Sequence, residues 1–261
     1  MGNIFPRQPR FDFFDMMHDK PDWSDASILD IGGNRGNLLE DGLELKRFQE
    51  HQYTSLDVDQ EALNFGKQQY PNANWIHHNA FNNVYNIHGE QELAYPFDDN
   101  TFNLICSYSV YSHTTFKQFV FDLIEMFRIC KPNGSIALTL VDTPASQFFT
   151  QKRVVDLDRI RIPITFEKIS KFNIVDYMYF VDHDLLVDEI YSKSKMDFLV
   201  TIYNLKWLGM FLNKLNIVHK FKFPPQHHVQ RTLVIKKAQA ETTVDELKNF
   251  YENEEFLVDI L

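Results

Sequence analysis

Residues Ser27–Glu40 read SILDIGGNRGNLLE. An apolar run, Ser27–Ile31, contains one aspartate, Asp30, and leads into glycines and then into a leucine-rich stretch. The run predicts a buried strand, and the near-helical spacing of the following leucines predicts a helix over Asn37–Gln49. A strand that turns through glycines into a helix is a typical ligand-binding unit of α/β proteins.

Strands and helices alternate through the first half of the chain. The predicted elements after the first helix are strands at Tyr53–Asp57, Asn74–His77, Phe102–Ser107 and Ser135–Val141, and helices at Gln60–Gln69 and Phe116–Cys130. This order predicts a parallel sheet with right-handed crossovers, which is a doubly wound α/β fold. Such sheets bind ligands at the carboxyl ends of their strands.

The alternation ends after residue 142. The stretch from Thr143 to about Lys195 is aromatic, charged and irregular, which indicates an insertion that covers the ligand site. A helix is predicted over Phe198–Leu215, followed by an antiparallel strand pair, Ile217–Phe223 and Arg231–Lys236, at the sheet edge. We therefore expect five parts: an N-terminal segment (1–26), a ligand-binding core (27–142), a lid (143–200), a helix and strand pair that complete the core (201–238), and an acidic amphipathic tail (239–261). The tail makes a homodimer plausible.

The composition narrows the classes of partner. The 261 residues are 44% hydrophobic and 24% charged, as in an ordinary globular protein, and the formal net charge is −10. A net negative chain without a visible basic face disfavours nucleic acid and anionic membranes as partners. Neither a run of 18 apolar residues nor the apolar core of a signal peptide is present, so we expect no membrane span and a cytoplasmic location.

Metal binding is not expected. Cys106 and Cys130 lie in apolar contexts, which indicates buried thiols, and they lack the spacing of a zinc site. The pairs His77-His78 and His227-His228 are adjacent in sequence. Adjacent residues of a strand point to opposite faces, so neither pair chelates one ion well.

The glycine turn favours a cationic ligand. Its sequence, Asp30-Ile31-Gly32-Gly33-Asn34-Arg35-Gly36, departs from the G-x-G-x-x-G spacing of dinucleotide-binding turns. Asp30 would also repel a pyrophosphate, whereas it suits S-adenosylmethionine, which carries an ammonium and a sulfonium and no phosphate. Asp57 ends the second predicted strand, where a carboxylate accepts hydrogen bonds from ribose hydroxyls.

Taken together, these segments resemble the class I S-adenosylmethionine-dependent methyltransferases. The turn is similar to the family's D-x-G-x-G-x-G loop, with Asn34 at the middle glycine, and asparagine tolerates a left-handed backbone. YPFDDNTFNLI (95–105) resembles the family's LPFPDNSFDLV, and EMFRICKPNGS (125–135) resembles E-x-x-R-V-L-K-P-G-G. The likeness covers about Ile28–Asp142 and implies a Rossmann-like seven-stranded sheet with an antiparallel edge strand and an inserted lid.

The resemblance implies the cofactor, with S-adenosylhomocysteine as product, and its contacts. Asn79 stands where the family usually has an aspartate that contacts adenine. The full expected set of cofactor-binding residues is Asp30, Gly32, Gly33, Asn34, Gly36, Asp57, Val58, Asn79, Ala80, Ser107 and Tyr108.

His113 is the catalytic candidate. It follows the fourth strand, at the sheet end where the methyl group should point, and an imidazole accepts a proton near neutral pH. The alternative is a histidine at a helix start that packs against the cofactor or lid. The candidate acceptor contacts are Tyr111, Tyr177, Tyr179 and His183, although packing is the favoured role of Tyr111.

The acceptor is less well defined. A Y-N-x-x-G insertion (85–89) resembles a subgroup of bacterial small-molecule methyltransferases, and the fourth strand lacks the N-P-P-[YF] ending common in enzymes that methylate base amines. We expect O- or N-methylation of a small molecule. The alternatives are a peptide or protein acceptor and a module that binds the cofactor without transfer, and a dehydrogenase is opposed by the glycine spacing.

Overall fold

The computed structural model describes residues 10–82, 85–142, 167–168, 175–180, 198–222 and 231–237, with four further positions in the C-terminal tail. The helices are α1 Arg10–Met17, α2 Asn37–Glu44, α3 Gln60–Gln69, α4 Phe116–Ile129 and α5 Leu205–Lys214, with short 3-10 turns at Glu50–Gln52 and Tyr111–His113. The strands are β1 Ile28–Ile31, β2 Tyr53–Asp57, β3 Asn74–His77, β4 Phe102–Ser107, β5 Cys130–Asp142, β6 Glu167–Lys168, β7 Val175–Phe180, β8 Phe198–Tyr203, β9 His219–Lys222 and β10 Arg231–Lys236.

Seven strands form the sheet that the sequence predicts. Their order is β3-β2-β1-β4-β5-β10-β9, in which β1 to β5 run parallel and β10 is antiparallel to both of its neighbours. The doubly wound sheet with an antiparallel pair at its edge is thus confirmed. Strand order reverses at β1, where Ile31 lies beside Leu56 of β2 and Ser107 of β4. The carboxyl ends of these three strands meet at this switch point, which is where such sheets bind ligands.

Three further strands extend the sheet beyond these seven. β8 pairs in parallel with the last residues of β5, where Val141 lies opposite Ile202. β7 is antiparallel to β8, and β6 is antiparallel to β7. The predicted helix over Phe198–Leu215 is therefore wrong in its first part, because Phe198–Tyr203 is a strand and the helix begins at Leu205. The aromatic and β-branched residues of FLVTIY suit a strand. The rest of the expected lid lies outside the described residues.

Helix α2 is shorter than predicted. It ends at Glu44 instead of Gln49, because Lys46 has a left-handed φ of 54° and the Arg47 N–H closes the helix on the Gly42 carbonyl at 2.9 Å. The chain then turns back, and Phe48 packs over Gly42, where even an added Cβ would lie 2.1 Å from the ring. Phe48 therefore has helical spacing in the sequence because it packs back onto α2, although it lies outside the helix.

Helix α1 is absent from the sequence-based assignment, which gives residues 1–26 only as an N-terminal segment. Phe11, Phe14 and Met17 lie on one face at helical spacing and are buried. Phe11 packs against Trp23 with ring centroids 4.9 Å apart. This aromatic cluster attaches α1 to the face of the sheet that α2 covers.

Within the parts of the chain described above, no helix has both the length and the apolar content that a bilayer crossing requires.

Candidate functional site

The glycine turn joins the ends of β1 and β2. Gly32 and Asn34 have left-handed φ angles of 69° and 50°. The Gly32 N–H donates to the Leu56 carbonyl at 2.8 Å, and the Asn34 N–H donates to Asp57 Oδ2 at 2.7 Å. The prediction that asparagine keeps the turn at position 34 is confirmed. The turn therefore holds the β2 carboxylate next to the β1 glycines.

Glycine is required at position 32 for two reasons. Its φ is left-handed, and an added Cβ would lie 2.3 Å from Cγ2 of Val110. Gly36 serves a different purpose, because it does not line the cavity and its added Cβ would lie 2.7 Å from the Trp75 ring. Gly36 thus allows the start of α2 to approach β3.

Two buried carboxyls lie beside the turn. The Tyr53 hydroxyl donates to Asp30 Oδ2 at 2.8 Å, and burial raises the pKa of Asp30 to about 7. Asp57 accepts N–H bonds from Asn34 on Oδ2 and from Asp59 on Oδ1, at 2.7 and 2.8 Å. Burial also raises the pKa of Asp57, although these backbone donors oppose the rise. Both groups therefore favour a ligand that brings positive charge or hydroxyl donors.

These residues line a cavity of about 410 Å³ at the switch point of the sheet. The predicted site residues in its wall are Asp30, Gly32, Gly33, Asn34, Asp57, Val58, Ala80, Tyr108 and His113. Its wall also includes residues that the sequence analysis did not select: Arg10 and Phe14 of α1, His78, Phe81, Asn82, Tyr85, Tyr95, Val110, Gln118 and Asp122.

Asn79 does not line the cavity. Its side chain is exposed, and its Oδ1 accepts from Asn86 Nδ2 at 3.0 Å. His78 takes the position in the wall, because the residues that follow β3 continue its alternation: His78 and Ala80 are buried and line the cavity, whereas Asn79 is exposed. His78 is buried, and that burial lowers its pKa to about 4. Among the residues that the structure describes, its Nε2 has no hydrogen-bond partner.

Of the two cofactor contacts predicted at the end of β4, one lines the cavity and the other does not. Tyr108 lies in the cavity wall, whereas Ser107 is buried in the sheet and does not reach the cavity. Tyr111 is fully buried, with its hydroxyl 3.5 Å from that of Tyr95, and it also lies outside the wall. Packing, the favoured interpretation of Tyr111, agrees with this position. His113 ends the 3-10 turn, and its N–H donates to the Val110 carbonyl at 2.8 Å.

A polar group from α4 forms part of the cavity wall. Asp122 is buried and accepts from Gln118 Nε2 at 2.8 Å, and burial raises its pKa to about 7. The sequence carries one signal of this group, an aspartate between Phe119 and Leu123 on the apolar face of a helix.

The remaining predicted acceptor contacts lie in the second half of the chain. Tyr177 and Tyr179 belong to β7, where they pair with Thr201 and Leu199 of β8. His183 lies outside the described residues. Among the described residues, no three His, Cys, Asp or Glu side chains group as metal ligands.

Sequence comparison matches residues 29–138 to the family described as a methyltransferase domain. No curated protein matches the chain significantly.

Solved structures share the fold at low identity. A S-adenosylmethionine-dependent methyltransferase of Methanosarcina mazei is 16% identical, with a TM-score of 0.53 over 86% of this chain and 98% of that chain. A protein of Pyrococcus horikoshii OT3 is 13% identical, with a TM-score of 0.51 over 80% and 82%. The 1,6-didemethyltoxoflavin-N1-methyltransferase of Burkholderia thailandensis, solved with 1,6-didemethyltoxoflavin and S-adenosylhomocysteine, is 10% identical, with a TM-score of 0.50 over 89% and 78%. At these identities the likeness concerns the fold.

Proposed function

We propose that this chain, whose residues 29–138 match a methyltransferase domain, is a class I S-adenosylmethionine-dependent methyltransferase and that it methylates an oxygen or nitrogen of a small molecule. The observation that carries the proposal is the meeting of the glycine turn, two carboxyls and His113 around one cavity of about 410 Å³. This volume lies within the range of about 300–1,000 Å³ that is usual for small-ligand sites.

The residues present fit the cofactor. Both oxygens of Asp57 accept backbone N–H groups and keep lone pairs for the two hydroxyls of a ribose. Asp30 offers a carboxylate to an ammonium, and Val58 and Val110 offer apolar surface to a base. When bound, S-adenosylmethionine supplies an electrophilic methyl group on its sulfonium.

The charge of the wall argues against a dinucleotide. Arg10 is the one lysine or arginine among the described residues that line the cavity, whereas Asp30, Asp57, Asp59 and Asp122 all do so. A pyrophosphate would meet more negative than positive charge. A dehydrogenase is therefore disfavoured by the site as well as by the glycine spacing.

We assign His113 the role of proton acceptor. The 3-10 turn places it in the cavity wall beyond β4, together with Thr114 and Tyr108. A neutral imidazole nitrogen there accepts the proton that an acceptor hydroxyl or amine loses as it is methylated. The other residues of the wall orient the two substrates and exclude water.

Calorimetric titration with S-adenosylmethionine and S-adenosylhomocysteine tests the cofactor site. We expect saturable binding to the wild type and its loss in Asp57→Ala. Asp98→Asn, an exposed acid outside the cavity wall, is the matched control and should bind as the wild type does. Absence of heat with both ligands in folded wild-type protein would contradict the proposal.

Transfer of a labelled methyl group tests the acceptor class. The protein is incubated with methyl-labelled S-adenosylmethionine and with either a small-molecule extract or a protein fraction of cells. We expect label in the small molecules and a large loss of it in His113→Asn. Label in the protein fraction alone would favour a peptide acceptor, and binding without transfer in both fractions would favour a non-catalytic module.

A further inference from the structure

Arg10 reaches the cavity from outside the sheet. It is the first residue of α1, and its backbone N–H, with that of Phe11, donates to Asp41 Oδ2 of α2. These bonds fix the start of α1 against the helix that follows the glycine turn. The Arg10 side chain consequently forms part of the cavity wall, close to the end of β1.

An aromatic ring orients the guanidinium. Cζ of Arg10 lies 3.2 Å from the centroid of the Tyr108 ring, and Phe13 packs edge-on against the same ring with centroids 5.4 Å apart. A guanidinium stacked on a ring keeps its N–H groups directed outward in its own plane. Such a group is prepared to bind a planar anion through two parallel hydrogen bonds.

Arg10 and Asp30 act on each other through space. The hydrogen bond to the Asp30 carboxyl comes from Tyr53, whereas the positive charge of Arg10 acts on it as a nearby charge. The cavity wall thus carries one cation and one carboxyl near the same strand end. An α-amino acid group, with its ammonium and carboxylate one carbon apart, is complementary to this arrangement.

We propose that Arg10 binds the α-carboxylate of the methionyl end of the cofactor while Asp30 faces its ammonium. This inference rests on the proposed function, and it makes α1 a part of the cofactor site. It also predicts that the site selects its ligand by the amino-acid group in addition to the adenosine.

Ligands that lack parts of the amino-acid group test the inference. Arg10→Met should weaken binding of S-adenosylmethionine and S-adenosylhomocysteine about 10- to 100-fold, the usual effect of removing a charge-assisted hydrogen bond. Binding of decarboxylated S-adenosylmethionine and of 5′-methylthioadenosine should change less than about twofold. Arg10→Lys should give an intermediate loss, because an ammonium does not form the paired bonds.

Arg47→Met is the matched control for the packing of α1. Arg47 also stacks on an aromatic ring of α1, with Cζ 5.2 Å from the Phe11 centroid, but it does not line the cavity. It should keep wild-type affinity for all four ligands.

Three results would overturn the inference while leaving the proposed function intact. The first is equal weakening of all four ligands by Arg10→Met. The second is a loss in Arg47→Met as large as that in Arg10→Met. The third is an unchanged cofactor affinity with a raised KM for the acceptor, which would assign Arg10 to an acceptor anion. Failure of the wild type to bind either full cofactor would instead contradict the proposed function.

Discussion

At the scale of single residues, the site depends on carboxyls whose protonation is set by burial. Asp30 is 5% exposed and accepts a hydrogen bond from the Tyr53 hydroxyl. Removal from water disfavours its charged form more strongly than Tyr53 and the charge of Arg10 favour it, so its pKa rises to about 7. The charged form of Asp30 therefore destabilises the folded protein, and a bound cationic ligand would offset that cost.

Asp30→Asn should therefore stabilise the protein in a pH-dependent way. Between the ordinary aspartate pKa of 3.8 and the folded value of about 7, the folded state binds more protons than the unfolded state. Wild-type stability then falls as pH rises through this window, and the advantage of the variant grows from pH 4 to 7 and levels off above it. Thermal unfolding across pH 4–9 should show a gain of several degrees at pH 8, since each kcal/mol shifts Tm by about 2–4 °C.

The same variant should bind S-adenosylmethionine more weakly, as expected when a stabilising change is made in a binding site. A gain in Tm that is equal at pH 4 and pH 8 would contradict the assignment of the raised pKa to Asp30.

Gly32→Ala tests the close approach in the turn. The substitution places Cβ 2.3 Å from Val110 Cγ2 and forces alanine into a φ of 69°, so it should lower Tm by several degrees and abolish cofactor binding. Adding Val110→Ala removes the clash and leaves the strained φ, so the double variant should recover part of the stability. No recovery, measured by thermal unfolding, would show that the clash is not the cause.

At the scale of elements, the strands beyond the seven-stranded sheet support the turn that carries His113. The Tyr203 hydroxyl of β8 donates to the Tyr111 carbonyl at 3.1 Å, and the Thr201 hydroxyl donates to the Thr114 carbonyl. These two bonds flank His113 on either side. Tyr203 and Thr201 are fully buried, so water cannot replace either bond.

Tyr203→Phe should reduce methyl transfer more than it reduces cofactor binding. The variant leaves the Tyr111 carbonyl without its donor, at a cost of about 1–3 kcal/mol, and loosens the turn before His113. Thr201→Val should act in the same direction, while Thr201→Ser, which keeps the hydroxyl, should stay near wild type. The test measures turnover, cofactor affinity and Tm for each of the three variants. A parallel loss of cofactor affinity and turnover would contradict a specific effect on the turn.

At the scale of the whole molecule, the cavity joins parts of the chain that are distant in sequence. Its wall combines α1, the glycine turn, the residues after β2, β3 and β4, and the first half of α4. A ligand in the cavity stabilises all of these parts together, because it binds the folded state and not the unfolded chain.

Saturating S-adenosylmethionine should therefore raise Tm. At 100 times its Kd, binding contributes about 2.7 kcal/mol. This corresponds to a shift of roughly 5–10 °C for a chain of this size class. Differential scanning fluorimetry should show the shift in the wild type and in Asp98→Asn, and its absence in Asp57→Ala. An equal shift in all three proteins would place the ligand elsewhere.

Local pattern was sufficient for much of the fold. β2, β3, β4, β10 and α3 have the bounds that the sequence predicts, because each is set by a short apolar run or by a cap within the same segment. Asp59, for example, caps α3 through its own side chain, which accepts the N–H groups of Glu61 and Ala62. The glycine turn and its two carboxyls could be predicted for the same reason, because they lie next to strand ends that the sequence pattern locates.

What the sequence by itself determined is therefore the order of strands and helices, the glycine turn, and Asp30 and Asp57 beside it. Tertiary structure alone decided that Arg10 reaches the cavity, that His78 rather than Asn79 faces it, and that Phe198–Tyr203 is a strand. Each of these depends on partners elsewhere in the chain: Tyr108 for Arg10, Tyr95 for His78, and β5 and β7 for β8. The periodicity of a sequence indicates only which face of a segment is buried. Which segment packs against that face depends on the tertiary structure of the whole molecule.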